Sequence, residues 1–244
     1  MKQAILAVSF GTTYAQAEEE CILPVETALK DAYPGWDVYR AYTAKIVMKR
    51  LQERGKQIDD VPAALEKLRK TGYGKIVLAS AHMIPGTEYE ALKEAAQGCP
   101  VSEPLLAGEE DLNWMAALMQ NITQQEGMPV LFMGHGTDHA ADETYVCLQE
   151  KLPEGTFLAC VEGAHRLETI LPQLEKMRGR EITLAPLMLV AGDHAHNDLA
   201  GTGEDSWKSI LESAGFRVHI RMRGLGAEEQ VQQRFCEKTG RIIC

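Results

Sequence analysis

VLFMGHGTDH, residues 130–139, is a strand-length apolar run that stops at a glycine and delivers a histidine with a second glycine behind it. Continuous apolar runs of this kind belong to parallel sheets covered on both faces, and α/β sheets bind their ligands beyond the carboxyl ends of such strands. The same outline stands at 5–14 as ILAVSFGTTY, with Leu, Gly and Thr kept at a shift of 125 residues, 136 − 11. A second pair, LASAHMIPGTE (78–88) and LAPLMLVAGDH (184–194), keeps Leu, Ala and Gly at a shift of 106, 192 − 86. The chain therefore reads as two similar halves.

Working outward, β-branched apolar runs recur near residues 4–9, 37–42, 75–81, 101–106, 129–134, 156–161, 181–190 and 217–222, which predicts eight strands. Between them, Leu112, Met115, Ala116, Met119 and Ile122, and again Leu167, Ile170, Leu171, Leu174 and Met177, recur at helical spacing. Strict alternation of strand and helix predicts right-handed crossovers and an α/β fold. We expect two Rossmann-like, doubly wound halves, each with a four-stranded mainly parallel sheet. They span residues 1–125 and 126–244, with QQEGMP (124–129) as the join and a ligand cleft between them.

Composition narrows the function classes. At 244 residues with 45% apolar side chains, the chain can bury a large core. No apolar run approaches the roughly 18 residues of a membrane helix, and the opening MKQAILAVSFGTT breaks at Gly11, so it reads as a first strand rather than a leader. Cytoplasm is the expected compartment and no membrane partner is expected. Formal charge is −10, and the main cationic cluster, KIVMKRLQERGK (45–56), alternates with apolar residues as a helix face does. That argues against nucleic acid as a partner. Six cysteines form no C-x-x-C pair and read as reduced thiols. No G-x-G-x-x-G or Walker loop is present, so nucleotide binding has no motif behind it.

The candidate chemistry sits at strand ends. His135 lies in GHGT, His194 in GDHAHND beside the alternative His196, Glu162 in CVEGAHR and Glu88 in IPGTEYE. Two imidazoles and one carboxylate from three strand ends would make a metal site with open positions, which suits catalysis better than structure. Plainer roles stay open beside these. His135 could cap a helix beginning near Ala140, Glu162 could cap one at 165–178, and Glu88 could be a first-turn glutamate favoured by the helix dipole. His82 reads as an interior histidine, while His139, His165 and His219 have only proximity to recommend them.

Taken in order from residue 8 to about residue 208, VSFGTT, HMIPGTEYE, FMGHGTDH, CVEG, LMLVAGDHAHND and DSWK resemble the anaerobic sirohydrochlorin cobalt chelatases of cobalamin biosynthesis, the CbiK type. These are class II chelatases with a ferrochelatase-like fold. The resemblance implies a lyase that inserts Co²⁺ into sirohydrochlorin with release of the pyrrole protons, in a cleft between two Rossmann-like halves. Co²⁺ would be the substrate metal, with Fe²⁺ or Ni²⁺ as alternatives. Sirohydrochlorin would be the partner, and a homo-oligomer is left open. The resemblance also implies His135, Glu162 and His194 as metal ligands, His135 as proton acceptor, and Glu88 facing the same cleft. Because the substrate is a polycarboxylate and the chain is acidic, Arg40, Lys45, Lys49, Arg50, Arg54 and Arg166 are the cations expected to receive it. Two rival readings are a Zn²⁺ hydrolase, for which no H-E-x-x-H segment exists, and a non-catalytic carrier of metal or haem.

Overall fold

The apolar runs become seven strands in two parallel sheets in the computed structural model, which describes residues 2–177 and 180–243. In the first sheet β1 (Lys2–Ser9) is central, flanked by β2 (Asp37–Tyr42) and β3 (Tyr73–Ser80). In the second, β4 (Val130–Gly134) lies between β5 (Thr156–Cys160) and β6 (Glu181–Pro186), with β7 (Arg217–Ile220) beyond β6. All pairings are parallel, as continuous apolar runs buried on both faces require.

Helices connect the strands in the expected alternation. Unit one, the segments up to Ala107 and from Leu225 onward (unit two being Gly108–Gly224), carries α1 (Ala15–Ala17), a π-helical turn at Glu18–Ile22, α2 (Leu23–Ala32), α3 (Lys45–Glu53), α4 (Val61–Lys70) and α5 (Thr87–Ala95). On one face of its sheet Val61, Leu65, Leu68, Tyr89 and Leu92 pack on Leu6, Val8, Ile76 and Leu78. Unit two carries α6 (Glu109–Glu126), α7 (Glu143–Gln149), α8 (Leu167–Leu174) and α9 (Trp207–Ser213). There Leu167, Ile170, Leu174, Trp207 and Leu211 pack on Leu131, Met133, Ala159 and Leu184. No described helix is long and apolar enough to cross a membrane.

The fold class is as expected, and three details differ. The predicted strand at 101–106 reduces to a single parallel bridge between Val101 and Leu78, so the first sheet has three strands rather than four. The reason is local: Ser102 Oγ accepts the Ser80 amide at 2.9 Å, and Pro104, two residues on, has no N–H to extend a ladder. The run at 181–190 stops being strand at Pro186 for the same reason, after which the chain bends toward His194. Finally, the compact units are the segments up to Ala107 and from Leu225 onward, and Gly108–Gly224, rather than 1–125 and 126–244. The long α6 buries Leu112, Met115 and Met119 and packs with α7 and β5. The last helix, α10 (Glu229–Ile243), returns to α2 and β3.

Candidate active site

All three residues expected to hold metal lie in unit two, at the carboxyl ends of adjacent parallel strands. His135 follows β4 directly. Glu162 lies two residues past β5, and the pairing of these strands continues beyond the sheet, because the Glu162 amide donates to the His135 carbonyl at 2.8 Å. The intervening Gly136 has φ +78°, and a Cβ there would stand 2.0 Å from the Glu162 carbonyl oxygen. Glycine at 136 is therefore what permits the His135 and Glu162 backbones to touch.

The segment after β6 brings in the second imidazole. His194 opens a π-helical turn, Ala195–Leu199, and its ring stands edge-to-face with that of His135, centroids 4.7 Å apart and planes at 89°. Single π-helical turns of this kind are frequent at functional sites. Each ring is fixed through Nδ1. His135 Nδ1 donates to the Gly136 carbonyl at 2.9 Å, and His194 Nδ1 to Asp198 Oδ2 at 2.6 Å. With an oxygen acceptor at each Nδ1, the ring nitrogen left without a partner in these bonds is Nε2, the atom that could serve a ligand. His194 keeps 37% of its side chain exposed, so the pair is open to an incoming ion.

Of the sequence candidates, His135 and His194 are brought together. The Glu162 side chain is exposed, and among the described residues no three His, Cys, Asp or Glu side chains are gathered into a ready cage. Glu162 joins the pair through its backbone rather than its carboxylate. Glu88 occupies the first turn of α5 in unit one, exposed, where the helix dipole favours an acid. His196 is exposed within the π-helical turn. The plainer roles fall to other residues: His139, not His135, caps the turn at 140–142 by accepting the Ala141 amide at 3.1 Å, and α8 begins only at Leu167, beyond Glu162. His165 Nε2 donates to the Leu158 carbonyl along the outer edge of β5. His82 lies buried past β3, its Nδ1 3.0 Å from Ser80 Oγ and its Nε2 without a partner among the described residues. Burial pushes it down to about 4, so it is neutral.

The expected cations divide. Arg40 is bound to Glu26 at 2.6 and 2.7 Å and to Glu18, so its charge is spent within the fold. Arg54 donates to the Thr13 carbonyl at 3.0 Å and Arg166 to the Gly163 carbonyl at 3.2 Å, while Lys45, Lys49 and Arg50 on α3 are exposed with no ion-pair partner among the described residues. Asp198, which anchors His194, was not anticipated. Its i, i+4 spacing from His194 is the signal that could have found it.

The comparisons with known proteins bear on this arrangement. The cobalt chelatase (CbiK) family model matches residues 3–243. The chain belongs to the CbiK family of cobalt chelatases. It is 35% identical to the sirohydrochlorin cobaltochelatase of Salmonella typhimurium, over 96% of this chain and 94% of that protein. It is 33% identical to the sirohydrochlorin cobaltochelatase CbiKC of Nitratidesulfovibrio vulgaris, over 93% of this chain and 86% of that protein. Among solved structures, the sirohydrochlorin chelatase SirB of Bacillus subtilis subspecies spizizenii, in complex with cobalt, is similar with a TM-score of 0.59. The match covers 99% of this chain and 95% of that one at 13% identity, so it speaks to the fold. For a CbiK chain, a pair of imidazoles in edge-to-face contact, each held at Nδ1, is a pertinent feature at these strand ends.

Proposed function

We propose that this protein inserts Co²⁺ into sirohydrochlorin, the reaction of cobalamin biosynthesis, with His135, Glu162 and His194 as the ligands that deliver the ion. The observation that carries the reading is the edge-to-face pair of imidazoles, each anchored at Nδ1 and presenting Nε2. Two nitrogen donors hold a borderline ion such as Co²⁺, and the Glu162 carboxylate adds one hard oxygen by side-chain rotation from a backbone already bonded to His135. So incomplete a grip suits a metal that is substrate, since a closed cage would retain it.

Insertion also requires both pyrrole N–H protons to leave. A neutral imidazole accepts a proton near neutrality, but one lone pair cannot hold metal and proton together. The steps are therefore sequential: the ion passes toward the ring nitrogens, His135 is freed, His135 or Glu88 takes one pyrrole proton, and the other leaves to solvent water. Phe10, 46% exposed directly after β1, and Ile46, 55% exposed in the first turn of α3, offer apolar surface to a flat macrocycle. Lys45, Lys49 and Arg50 meet its carboxylates locally despite the net charge of −10.

The test is to mix the protein with Co²⁺ and sirohydrochlorin and follow the tetrapyrrole absorption. Catalysed insertion shifts the spectrum faster than the protein-free reaction. A rate equal to that of the blank, with Co²⁺ bound, would leave a carrier in place of an enzyme. Running Fe²⁺ and Ni²⁺ in parallel ranks the metals, which the ligand types alone do not.

A further inference from the structure

Asp142 is the last residue of the 3-10 turn Ala140–Asp142, which His139 caps and which runs on into α7; Asp142 is itself helical and its side chain makes no cap bond to α7. It is buried, at 9% exposure. Its two oxygens go elsewhere: Oδ1 accepts the Thr137 amide at 3.1 Å and Oδ2 accepts the Ala164 amide at 2.8 Å. Thr137 belongs to the loop that carries His135, and Ala164 to the loop that carries Glu162.

These two loops leave adjacent parallel strands. Pairing persists just past the sheet, with Val161 N donating to Gly134 O at 3.1 Å and Glu162 N to His135 O at 2.8 Å. Beyond those residues the backbones have no further ladder to hold them, and there the carboxylate of Asp142 takes one amide from each. The fit is close: a Cβ at Gly163 would lie 2.4 Å from both Asp142 oxygens, so the loop passes against the carboxylate with no room for a side chain. A buried carboxylate that has no ion-pair partner among the described residues and does not cap its own helix needs another reason to be there, and two amide bonds across two site loops supply it.

We propose that Asp142 is a positioning residue of the metal site, a clasp that fixes the spacing of His135 and Glu162 by binding the amides of Thr137 and Ala164. This inference rests on the assignment of His135, Glu162 and His194 as ligands. Asp142 itself touches neither metal nor substrate. Without the clasp the imidazole pair would survive, through the separate anchors of His135 and His194, but the loop that carries Glu162 would be tied to the His135 loop only by the Glu162 N–His135 O and Val161 N–Gly134 O bonds. The expected defect is therefore in metal capture rather than in tetrapyrrole binding.

The decisive variant is Asp142→Asn, which keeps the shape but turns an N–H toward one of the two amides. Titration with CoCl₂ in the absence of tetrapyrrole, read by the visible absorption of bound Co²⁺, should show the half-saturation point rising at least tenfold. In turnover, KM for Co²⁺ should rise similarly, with KM for sirohydrochlorin within twofold of wild type. A clasp that served only the fold would lower the melting temperature and leave Co²⁺ affinity of the folded fraction unchanged; that result overturns the proposal. His135→Ala and His194→Ala are titrated alongside. If they bind Co²⁺ as wild type does, the ligand assignment has failed and the clasp proposal falls with it. If they lose Co²⁺ while Asp142→Asn keeps it, the clasp alone has failed. Should Asp142→Asn not fold, amide hydrogen exchange of the wild-type protein decides: Thr137 and Ala164 must exchange far more slowly than exposed Asp138, and equal rates dispose of the clasp.

Discussion

The two units share a strand plan and part ways at its tips. In both, the first strand is central, the second lies on one side and the third on the other. The residue after the first strand is Phe10 in unit one and His135 in unit two; the position that holds Glu88 in one holds His194 in the other. Where unit two ends its strands in a pair of imidazoles, unit one follows β1 with an exposed phenyl ring and spends Arg40, within β2, on Glu26 and Glu18. The lesson is that one backbone solution carries either an ion site or an apolar and ion-paired surface, according to which side chains stand at a few strand ends.

The largest expected effects test whether that division is real. His135→Ala and His194→Ala should each lower cobalt insertion about a hundredfold or more, the scale of losing a ligand or proton acceptor, while His139→Ala, which removes only a turn cap, should leave steady-state turnover within a few-fold of wild type. Equal losses in all three would erase the distinction drawn between site and cap.

A second contrast concerns the matched positions His82 and Met188, 106 residues apart. Met188 packs against the core of unit two, whereas His82 is buried in unit one with Nε2 unpartnered and is held down to about 4 from 6.5 by burial. An unfolded chain takes up that proton readily and the folded one refuses it. The contribution is thus fully present above about 6.5 and is lost as pH falls toward 4, by up to about 3 kcal/mol. Denaturant unfolding at several pH values should show this loss in wild type and a correspondingly flatter curve in His82→Met. Parallel curves would mean that the burial of His82 costs nothing.

Asp198→Asn is expected to have a smaller effect, weakening Co²⁺ affinity about ten- to a hundredfold, the range for residues that orient a metal-binding histidine. The His194 ring would keep its place on the chain but lose the carboxylate that fixes its proton on Nδ1. Co²⁺ titration by visible absorption measures it, and an unchanged half-saturation point would show that the ring is oriented by packing alone.

Much of this was legible in advance because hydrophobic periodicity and strand termini are local properties. The runs ending at Ser9 and Gly134 and the helical spacing of Leu112, Met115 and Met119 mark the elements, and glycine-flanked His135 marks a strand end. What was not legible depends on contacts across the fold. Nothing local marks Asp142, whose oxygens accept the amides of Thr137 and Ala164, and the strand expected at 101–106 fails because Ser102 gives its side chain to the Ser80 amide. Helix α6 reads as the end of one half and packs with the other, since amphipathic spacing shows that a face is buried but not against what.

The finest test of the comparison sets two glycines against each other, 125 residues apart. Gly11 has φ +93° and a Cβ there would meet the Tyr42 ring at 2.4 Å; Gly136 has φ +78° and its Cβ would meet the Glu162 carbonyl oxygen at 2.0 Å. Alanine at either place carries backbone strain of about 1–2 kcal/mol, but the obstructions differ in kind. A ring can be trimmed and a backbone carbonyl cannot. In a double-mutant cycle by denaturant unfolding, Gly11→Ala should therefore couple favourably to Tyr42→Ala by about 1 kcal/mol. Gly136→Ala should show no such relief from Cys160→Ala, because alanine retains the Cβ that stands 2.9 Å away and leaves the Glu162 carbonyl in place. Relief at both sites would mean that the loop after β4 yields as easily as a side chain does, and the His135–Glu162 contact would then be too soft to position a metal ligand.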